Sequence, residues 1–220
     1  MNYPLKNAVL NFIKTRNVNE LLCTIKTQID HYPPDVLHSL MNILSTHDTY
    51  RLITAVGGEE FSFNDKVRMS TTFIPEKDIE EATFKVMAAS LLQYTLCGVP
   101  SVYYGDEIGM EGYSDPLNRK CYPWGAGRQG LLAWYKKIGN IRRSYSAFNK
   151  GDFNEIYSDN GVLVFSRTDE NSEALVAINL SDKDYVFSFS GSLMELLTEK
   201  EVFDNYLLKS KSLAVLVRAL

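Results

Sequence analysis

The chain has 220 residues, of which 45% are hydrophobic, and this length and composition are typical of a globular protein with one or two domains. A net charge of −4 and a pI near 5.5 argue against a nucleic-acid partner, and no run of lysine or arginine indicates an anionic membrane surface. Three widely spaced cysteines, at 23, 97 and 121, and an N-terminus without a signal-peptide pattern predict a reducing, cytoplasmic location.

Helix and strand patterns alternate over the first two thirds of the chain. Apolar residues between Val18 and Ile29 recur at helical spacing and predict a helix, with Asn17 as its N-cap and Glu20 as the capping-box partner. Pro33 and Pro34 follow and are expected to end this helix. Residues 41–44 then predict a short buried strand.

The next predicted element is a helix that begins at Asp78, with Glu81 in its first turn. It is expected to run to Cys97 and to stop at Gly98, since glycine commonly ends helices. Residues 86–97 are its most apolar part. They are too few to span a bilayer, which takes about 20 apolar residues.

A second strand and a third helix complete this pattern. The strand is predicted at residues 99–104, where Pro100 fits best at the first position because it cannot donate to a neighbouring strand. The helix is predicted from Leu131 to Ile141 by apolar spacing. Strands that alternate with helices predict a parallel sheet with helices packed outside it. The polar loops 45–51 and 105–119 would follow the strands, where α/β proteins bind ligands.

The pattern changes near residue 150 to short segments rich in β-branched and aromatic residues. These segments predict strands at 153–157, 162–167, 174–180, 185–189 and 213–218. The sequence Asp159-Asn160-Gly161 predicts a hairpin, because Asn-Gly supports the positive φ angles of a type I′ turn, and residues 169–171 predict a second turn. The tail is therefore expected to form an antiparallel β-sandwich of its own.

Four segments occur in the order and at the spacing of one enzyme family. They are MNYPLKNAVL at 1–10, MNILSTHDTYR at 41–51, GVPSVYYGDEIGM at 98–110, and DP with NRKC and Trp124 in the loop that starts at 115. Together they resemble the α-amylase superfamily of glycoside hydrolases, and most closely neopullulanases, cyclomaltodextrinases and maltogenic amylases. One tetrapeptide would be weak evidence, whereas the ordered set is specific.

This resemblance implies an α/β plus all-β fold. Residues 1–148 are expected to form the C-terminal part of a TIM (β/α)8 barrel, from about the end of strand six to helix eight. Residues 149–220 are expected to form the C-terminal antiparallel β-sandwich of the family.

The resemblance also implies roles for individual residues. Asp48 matches a catalytic carboxylate that stabilises the transition state, and His47 matches a neighbour that binds sugar hydroxyls. Asp115 and Arg119 match a pair that binds glucose units. Tyr50 stands where relatives more often carry a small residue or proline, and it is expected to contact substrate. Without the resemblance, His47-Asp48 would indicate only a hydrogen-bonded turn, and Asp115-Arg119 a surface ion pair of little energetic worth.

The two carboxylates that cleave the bond are expected to be absent. Retaining glycosidases need a nucleophile and an acid/base whose carboxyl groups lie about 5–5.5 Å apart. Nothing here resembles the family motifs that carry them, which precede strand six. The resemblance thus implies a fragment of a retaining enzyme acting on α-1,4-glucosidic bonds, by hydrolysis or transglycosylation, that is inactive alone. No cofactor or metal is expected, since no acidic cluster has the ligand spacing for the calcium that some relatives use.

Other reactive residues are expected to be structural. Asp106 and Glu107 are adjacent on a segment predicted to be extended, where neighbouring side chains point to opposite sides, so a shared catalytic role is disfavoured. Arg51 is expected to form a salt bridge. The remaining structural residues are His31 and His38 at the surface or helix ends, Tyr103 and Tyr104 in the core or cleft wall, Cys97 in an apolar helix, and Cys121 in a loop.

An incomplete barrel exposes a sheet edge and apolar surface, both of which favour association. The expected partners are an α-glucan oligosaccharide, of the maltooligosaccharide, cyclodextrin or pullulan type, and either the missing N-terminal half-barrel or a second copy of this chain. Two other interpretations stay open. One is a non-catalytic carbohydrate-binding or assembly module, which exposed aromatics such as Trp124 would support. The other is a fragment that complements a separate N-terminal chain.

Overall fold

The computed structural model describes residues 1–62 and 65–220. Its α-helices are α1 (Tyr3–Thr15), α2 (Asn19–His31), α3 (Pro34–Ser39), α4 (Leu52–Gly57), α5 (Lys66–Thr71), α6 (Ile79–Thr95), α7 (Gln129–Ser144) and α8 (Ala147–Lys150). Its strands are β1 (Met41–Asn42), β2 (Val99–Pro100), β3 (Asp152–Asp159), β4 (Val162–Thr168), β5 (Ser172–Asn179), β6 (Tyr185–Glu195), β7 (Lys200–Leu208) and β8 (Ser212–Ala219). Among the described residues, no helix is long and apolar enough to cross a membrane.

Strands β1 and β2 form a parallel pair, as the strand–helix–strand pattern predicts. Met41 pairs with Val99 and Asn42 with Pro100, so both strands are shorter than the predicted 41–44 and 99–104. Pro100 is the second residue of its strand, not the first. Because it has no N–H, the ladder bond comes from the next residue, where Ser101 N donates to Asn42 O at 2.8 Å.

The helices pack on this pair and on one another around α6. Both sides of α6 are buried, including Val86, Leu91 and Leu92, which explains why its sequence shows no polar face. The helix ends at Thr95 rather than at Cys97, because the backbone at Leu96 is already extended (ψ 165°).

The N-terminus of α2 differs from its prediction. The helix begins at Asn19, and Asn17 Oδ1 accepts from Asn19 N at 3.0 Å, one residue earlier than a capping box requires. Glu20 instead accepts from Asn11 Nδ2 on α1 at 2.6 Å. The polar residues at this turn therefore tie α1 to α2 instead of closing a local capping box.

The tail forms an antiparallel sheet with the strand order β3-β4-β5-β8-β6-β7. The predicted hairpin is confirmed, since Asn160 (φ 49°) and Gly161 (φ 83°) both have the positive φ of a type I′ turn between β3 and β4. Strand β7 was not predicted. It carries several charged residues, and its alternation is interrupted at Asp204, which has a φ of 58°.

The sheet packs in the manner of a sandwich. Strand β6 bonds β8 through Met194 and Glu195 alone, so the β6–β7 hairpin is free to fold over the rest of the sheet. One apolar cluster accordingly combines Val162 and Val164 of β4 with Phe187 of β6 and Leu208 of β7. The opposite face of β4 packs on the helices. These two layers are consistent with a C-terminal β-sandwich.

Two arginines, the buried Arg167 and the half-buried Arg142, connect the helices to the sheet at the C-terminal end of α6. Arg167 of β4 is fully buried and donates to Thr95 O at 2.5 Å and to Gly151 O at 2.7 Å. Arg142 of α7 donates to Tyr94 O and Gly98 O, both at 2.6 Å. Cations suit this position because a helix C-terminus leaves carbonyls unpaired and carries partial negative charge. Burial lowers the pKa of Arg167 and lowers that of Arg142 to about 10.

Candidate functional site

The loops that follow β1 and β2 lie side by side, because parallel strands end at the same edge. The buried carboxyl group of Asp106, after β2, joins them. Its Oδ2 accepts from Ser45 Oγ and its Oδ1 accepts from Leu52 N at 3.3 Å. Ser45 and Leu52 flank the loop 46–51, so one side chain holds both ends of that loop.

Asp106 is only 4% exposed, and burial raises its pKa to about 7. The hydrogen bonds from Ser45 and Leu52, and the charge of Arg51, act in the opposite direction but do not offset the loss of hydration. A carboxyl group with this pKa is partly protonated near neutral pH, and it therefore holds the loop mainly by hydrogen bonds rather than by charge.

Asn118 holds the same loop from its middle. Its Nδ2 lies 2.8 Å from His47 O, 2.7 Å from Thr49 O and 3.3 Å from Thr46 O. The two hydrogens of this amide are shared among three carbonyls, which fixes the curvature of the loop. Sequence reasoning missed Asn118. Its presence within the family-like segment at 115–124 was the available signal.

Four of the predicted site residues meet at this edge. His47 Nε2 lies 3.1 Å from Asp48 Oδ2, and Arg119 Nε lies 2.6 Å from Asp115 Oδ1. Arg119 joins the two pairs, because its Nη2 lies 3.5 Å from Asp48 Oδ1 and its Nε donates to His47 O at 3.1 Å. We call these four residues the His47–Arg119 cluster.

The His47–Arg119 cluster is open to solvent, with side-chain exposures of 54% for His47, 58% for Asp48, 54% for Asp115 and 46% for Arg119. Exposed ion pairs of this kind stabilise a fold by roughly 0–1 kcal/mol. The cluster therefore contributes little to folding. The cluster instead presents carboxylate acceptors and guanidinium donors to a polar ligand. Buried neighbours hold the loop that carries these groups in shape.

Tyr50 lies outside the His47–Arg119 cluster. Its ring packs edge-to-face on Tyr113, with 5.2 Å between centroids, and it lines a separate cavity beside α1. Burial, followed by the charge of Glu60, raises the pKa of Tyr50. Tyr50 would therefore contact a ligand bound at the His47–Arg119 cluster only where that ligand extends into the neighbouring cavity.

Two expectations for neighbouring residues are corrected. Asp106 and Glu107 lie in a short 3-10 helix, Asp106–Ile108, and not on extended chain. They are nevertheless separated in role, since Asp106 is buried whereas Glu107 accepts from Gly105 N at 2.7 Å. Arg51 is structural but forms no salt bridge within the described residues. It is fully buried, with its guanidinium 4.3 Å from the ring centroids of Tyr103 and Tyr104.

Arg51 also connects the loops through backbone carbonyls. Its Nε donates to Asn118 O at 2.7 Å, its Nη1 donates to Tyr104 O, and its own N–H donates to Gly112 O at 2.9 Å. Carbonyl acceptors and aromatic faces thus replace a carboxylate around this buried cation, although its Nη2 has no hydrogen-bond partner among the described residues.

The histidines and cysteines outside the cluster offer no further site. His31, at the end of α2, bonds Thr27 O through Nδ1 at 2.8 Å, and burial lowers the pKa of His38 in α3. Cys97 is buried and Cys121 is exposed. Within residues 1–62 and 65–220, no group of histidine, cysteine and acidic side chains has the geometry to hold a metal ion.

Comparison with known proteins shows one family. The family described as "Alpha amylase, catalytic domain" matches residues 1–205. A cyclomaltodextrinase from Geobacillus thermopakistaniensis (strain MAS1) is 34% identical over 189 residues, which cover 83% of this chain and 28% of that protein. An amylopullulanase from Thermoanaerobacter thermohydrosulfuricus is 32% identical over 209 residues, covering 84% of this chain and 14% of that protein.

Solved structures show the same fold. An α-amylase from Geobacillus thermoleovorans, complexed with acarbose, superposes with a TM-score of 0.80 at 22% identity, over 99% of this chain and 47% of that one. A maltogenic amylase from S. marinus superposes with a TM-score of 0.77 at 26% identity, over 99% of this chain and 28% of that one. The chain thus spans less than half of each of these relatives.

Proposed function

This chain belongs to the α-amylase family, and we propose that it supplies part of the substrate cleft of a retaining glycoside hydrolase that acts on α-1,4-glucosidic bonds. The observation that carries the proposal is the His47–Arg119 cluster at the common edge of β1 and β2. Ligands bind at this end of the strands in barrels and in open α/β sheets.

Within this proposal, Asp48 stabilises the positive charge that develops on the sugar ring in the transition state. His47 and Arg119 orient the Asp48 carboxylate, since each lies within ion-pair distance of one of its oxygens. Asp115 and Arg119 bind hydroxyls of a neighbouring glucose unit. Charge-assisted hydrogen bonds to hydroxyls are stronger than neutral ones, which favours ionised side chains in this role.

The substrate class follows from the relatives, which are named cyclomaltodextrinase, neopullulanase and maltogenic α-amylase. We propose maltooligosaccharides, cyclodextrins or pullulan as substrates, with hydrolysis or transglycosylation as the reaction. A cytoplasmic location is part of the same proposal and rests on the sequence pattern.

We further propose that residues 1–148 are the C-terminal part of a (β/α)8 barrel and that 149–220 are the following domain. In support, β1 and β2 have apolar exposed residues where a barrel would continue, with Met41 at 45% and Val99 at 49% exposure. Parallel sheets are normally covered on both faces. The complete cleft would then need further barrel strands, from a separate polypeptide or a longer chain, or a second copy.

The chain alone is expected to be inactive. Asp48 and Asp115 both engage Arg119, and neither matches the family motifs of the nucleophile or the acid/base. Purified 1–220 should therefore release no more reducing sugar from maltoheptaose than its His47→Ala/Asp48→Ala double variant. Turnover well above that control would refute the proposed inactivity.

A positive test uses complementation. Co-expression with the polypeptide encoded immediately upstream should give α-glucanase activity, and Asp48→Asn should lower kcat by orders of magnitude because the ring charge loses its counter-ion. Arg143→Met, at an exposed position on α7, is the matched control and should keep full activity. Activity unchanged in Asp48→Asn would remove the catalytic role.

A second candidate function is a non-catalytic carbohydrate-binding module. The observation in its favour is Trp124, which is 87% exposed with its ring 4.8 Å from that of Tyr122. Trp134 is buried, so a change of tryptophan fluorescence on adding maltoheptaose would report on Trp124. A response lost in Trp124→Ala but kept in Asp48→Asn would favour this candidate over the first.

A further inference from the structure

A cavity with both polar and apolar walls lies beside the loop that carries His47 and Asp48. Its volume is about 280 Å³, and it is bounded by α1, by α4 and by the segment that follows α4. Thr49 and Tyr50, the residues directly after Asp48, contribute to its wall. Consecutive Cα atoms are about 3.8 Å apart, so the wall begins within about 8 Å of the Asp48 backbone. The cavity is therefore a neighbour of the His47–Arg119 cluster.

Lys6 provides a hydrogen-bond donor in this cavity. It lies on α1 and is 9% exposed, which is unusual for a lysine. Within the described residues its ammonium makes one long hydrogen bond, from Nζ to Asn7 Oδ1 at 3.4 Å. An ammonium has three N–H donors, so Lys6 retains donors for a bound ligand. Burial lowers the pKa of Lys6, in keeping with this incomplete solvation.

Aromatic rings form another part of the wall. Tyr50 and Phe61 both line the cavity, and both pack edge-to-face on Tyr113, with centroid distances of 5.2 Å and 5.1 Å. Tyr113 is itself buried and thus fixes the orientation of the two rings. Pockets that combine rigid aromatic faces with a few polar groups are typical of small-molecule sites.

The charges of the cavity balance one another. Two lysines, Lys6 and Lys14, and two glutamates, Glu59 and Glu60, line it. Lys14 pairs with Glu60, and Glu59 pairs with Arg68 at 3.0 Å. An anion would be attracted by Lys6 but repelled by Glu60. A neutral polyhydroxyl ligand can accept from Lys6 and donate to Glu60, so a sugar fits these charges better than a phosphate or a carboxylate.

We propose that this cavity is a second saccharide site, which binds one hexose unit of a neutral α-glucan oligosaccharide through Lys6, Glu60 and the ring of Tyr50. The ligand class rests on the proposed function, whereas the cavity itself does not. Ligand pockets are commonly about 300–1,000 Å³, and a cavity of about 280 Å³, just below that range, suits a single sugar ring.

The test is a titration of the full 15N-labelled chain with maltotriose, followed by amide chemical shifts. Saturable shifts are expected at Lys6, Tyr50 and Glu60, separately from any shifts at His47 and Asp48. Lys6→Met should weaken binding at the cavity about tenfold, which is the usual effect of losing one charge-assisted hydrogen bond. Because this variant removes only a buried ammonium, it should fold, and a thermal melt checks that it does.

Two further variants control the experiment. Tyr50→Phe keeps the aromatic ring and should retain shifts in the cavity. Lys136→Met, at an exposed position on α7, should bind as the unaltered chain does. Shifts confined to His47, Asp48 and Arg119, unaffected by Lys6→Met, would overturn the second site and leave the proposed function intact. An absence of shifts at both the cavity and the His47–Arg119 cluster would refute the second site and the proposed function together. Cavity shifts that persist in Asp48→Asn would establish the cavity as a site independent of Asp48.

Discussion

At the scale of single residues, Asp106 shows how a buried group shapes an exposed site. Its carboxyl bonds Ser45 and Leu52, and the loop between them carries His47 and Asp48. The buried Asp106 carboxyl thus positions the exposed Asp48 carboxyl. Because Asp106 loses its hydration on burial, its pKa is raised to about 7. The position of the Asp48 loop is therefore coupled to the protonation of Asp106.

This coupling gives a pH-dependent stability. An unfolded aspartate releases its proton near pH 3.9, whereas Asp106 in the folded chain keeps it until about pH 7. Between these values the folded state binds more protons, so the contribution of Asp106 to the free energy of unfolding falls as pH rises, by a total on the order of 4 kcal/mol. Above the folded pKa it stays constant.

The variant Asp106→Asn should lose this dependence. Its amide can accept from Leu52 N and donate to Ser45 Oγ, so it keeps both bonds without a charge. We expect the variant to match the unaltered chain near pH 4 and to be more stable near pH 8, as measured by urea denaturation. Asp30→Asn, at an exposed position on α2, is the control. An equal difference at both pH values would contradict the prediction.

The sequence predicted which single residues belong to the site better than it predicted the contacts that those residues make. Asp48, His47, Asp115 and Arg119 were singled out from the sequence by motif, although their shared contact at Arg119 could not be. Asn118 was missed because an asparagine in a loop can have many structural roles. Only its contacts with three backbone carbonyls show that it holds the loop of His47 and Asp48.

At the scale of secondary structure, the C-terminal end of α6 depends on distant cations. Arg142 reaches it from α7 and Arg167 from β4, each through backbone carbonyls. Thr95 and Arg167 are 72 residues apart in sequence, so this cap joins the helical part to the sheet.

Replacement of Arg167 by methionine should destabilise the chain. It would leave Thr95 O and Gly151 O buried without that donor, at a cost of about 2–4 kcal/mol in the free energy of unfolding. Arg167→Lys should be intermediate, since one ammonium cannot bond both carbonyls with the geometry of a guanidinium. Chemical denaturation measures the effect, with the exposed Arg143→Met as control. Equal stability of Arg167→Met and Arg143→Met would exclude the proposed cap.

Helices and tight turns were predictable because their signals are local. The Asn160-Gly161 hairpin and the helices α6 and α7 follow from residues a few positions apart. Strand β7 and the shortness of β1 and β2 were not predictable. Their extents depend on partner strands and on a φ of 58° at Asp204.

At the scale of the whole molecule, the short parallel pair β1–β2 presents apolar residues to solvent. Met1, Met41 and Val99 are exposed by 63%, 45% and 49%. Asn2 N donates to Met41 O at 2.8 Å, so these residues belong to one continuous face. An exposed apolar face of this kind favours association.

We expect the isolated chain to self-associate through this face. A charge within this face should oppose association because it would have to be desolvated in the contact, so Val99→Lys should sediment closer to the monomer mass of 25.0 kDa. Val67→Lys is the matched control, since Val67 is 81% exposed on α5. Sedimentation velocity at several concentrations distinguishes the outcomes. A monomer at every concentration would disprove the prediction, as would equal association of both variants.

The sequence by itself determined the alternation of helix and strand in the first two thirds of the chain, the change to short strands near residue 150, the hairpin turn and the motifs that identify the family. Each of these depends on residues that are near one another in the chain. Tertiary structure alone decided that Arg119 meets His47 and Asp48, that Asp106 is buried with a raised pKa, and that Tyr50 lines a different cavity. Ion pairing, desolvation and cavity shape depend on which distant residues become neighbours, and that is fixed only when the core packs.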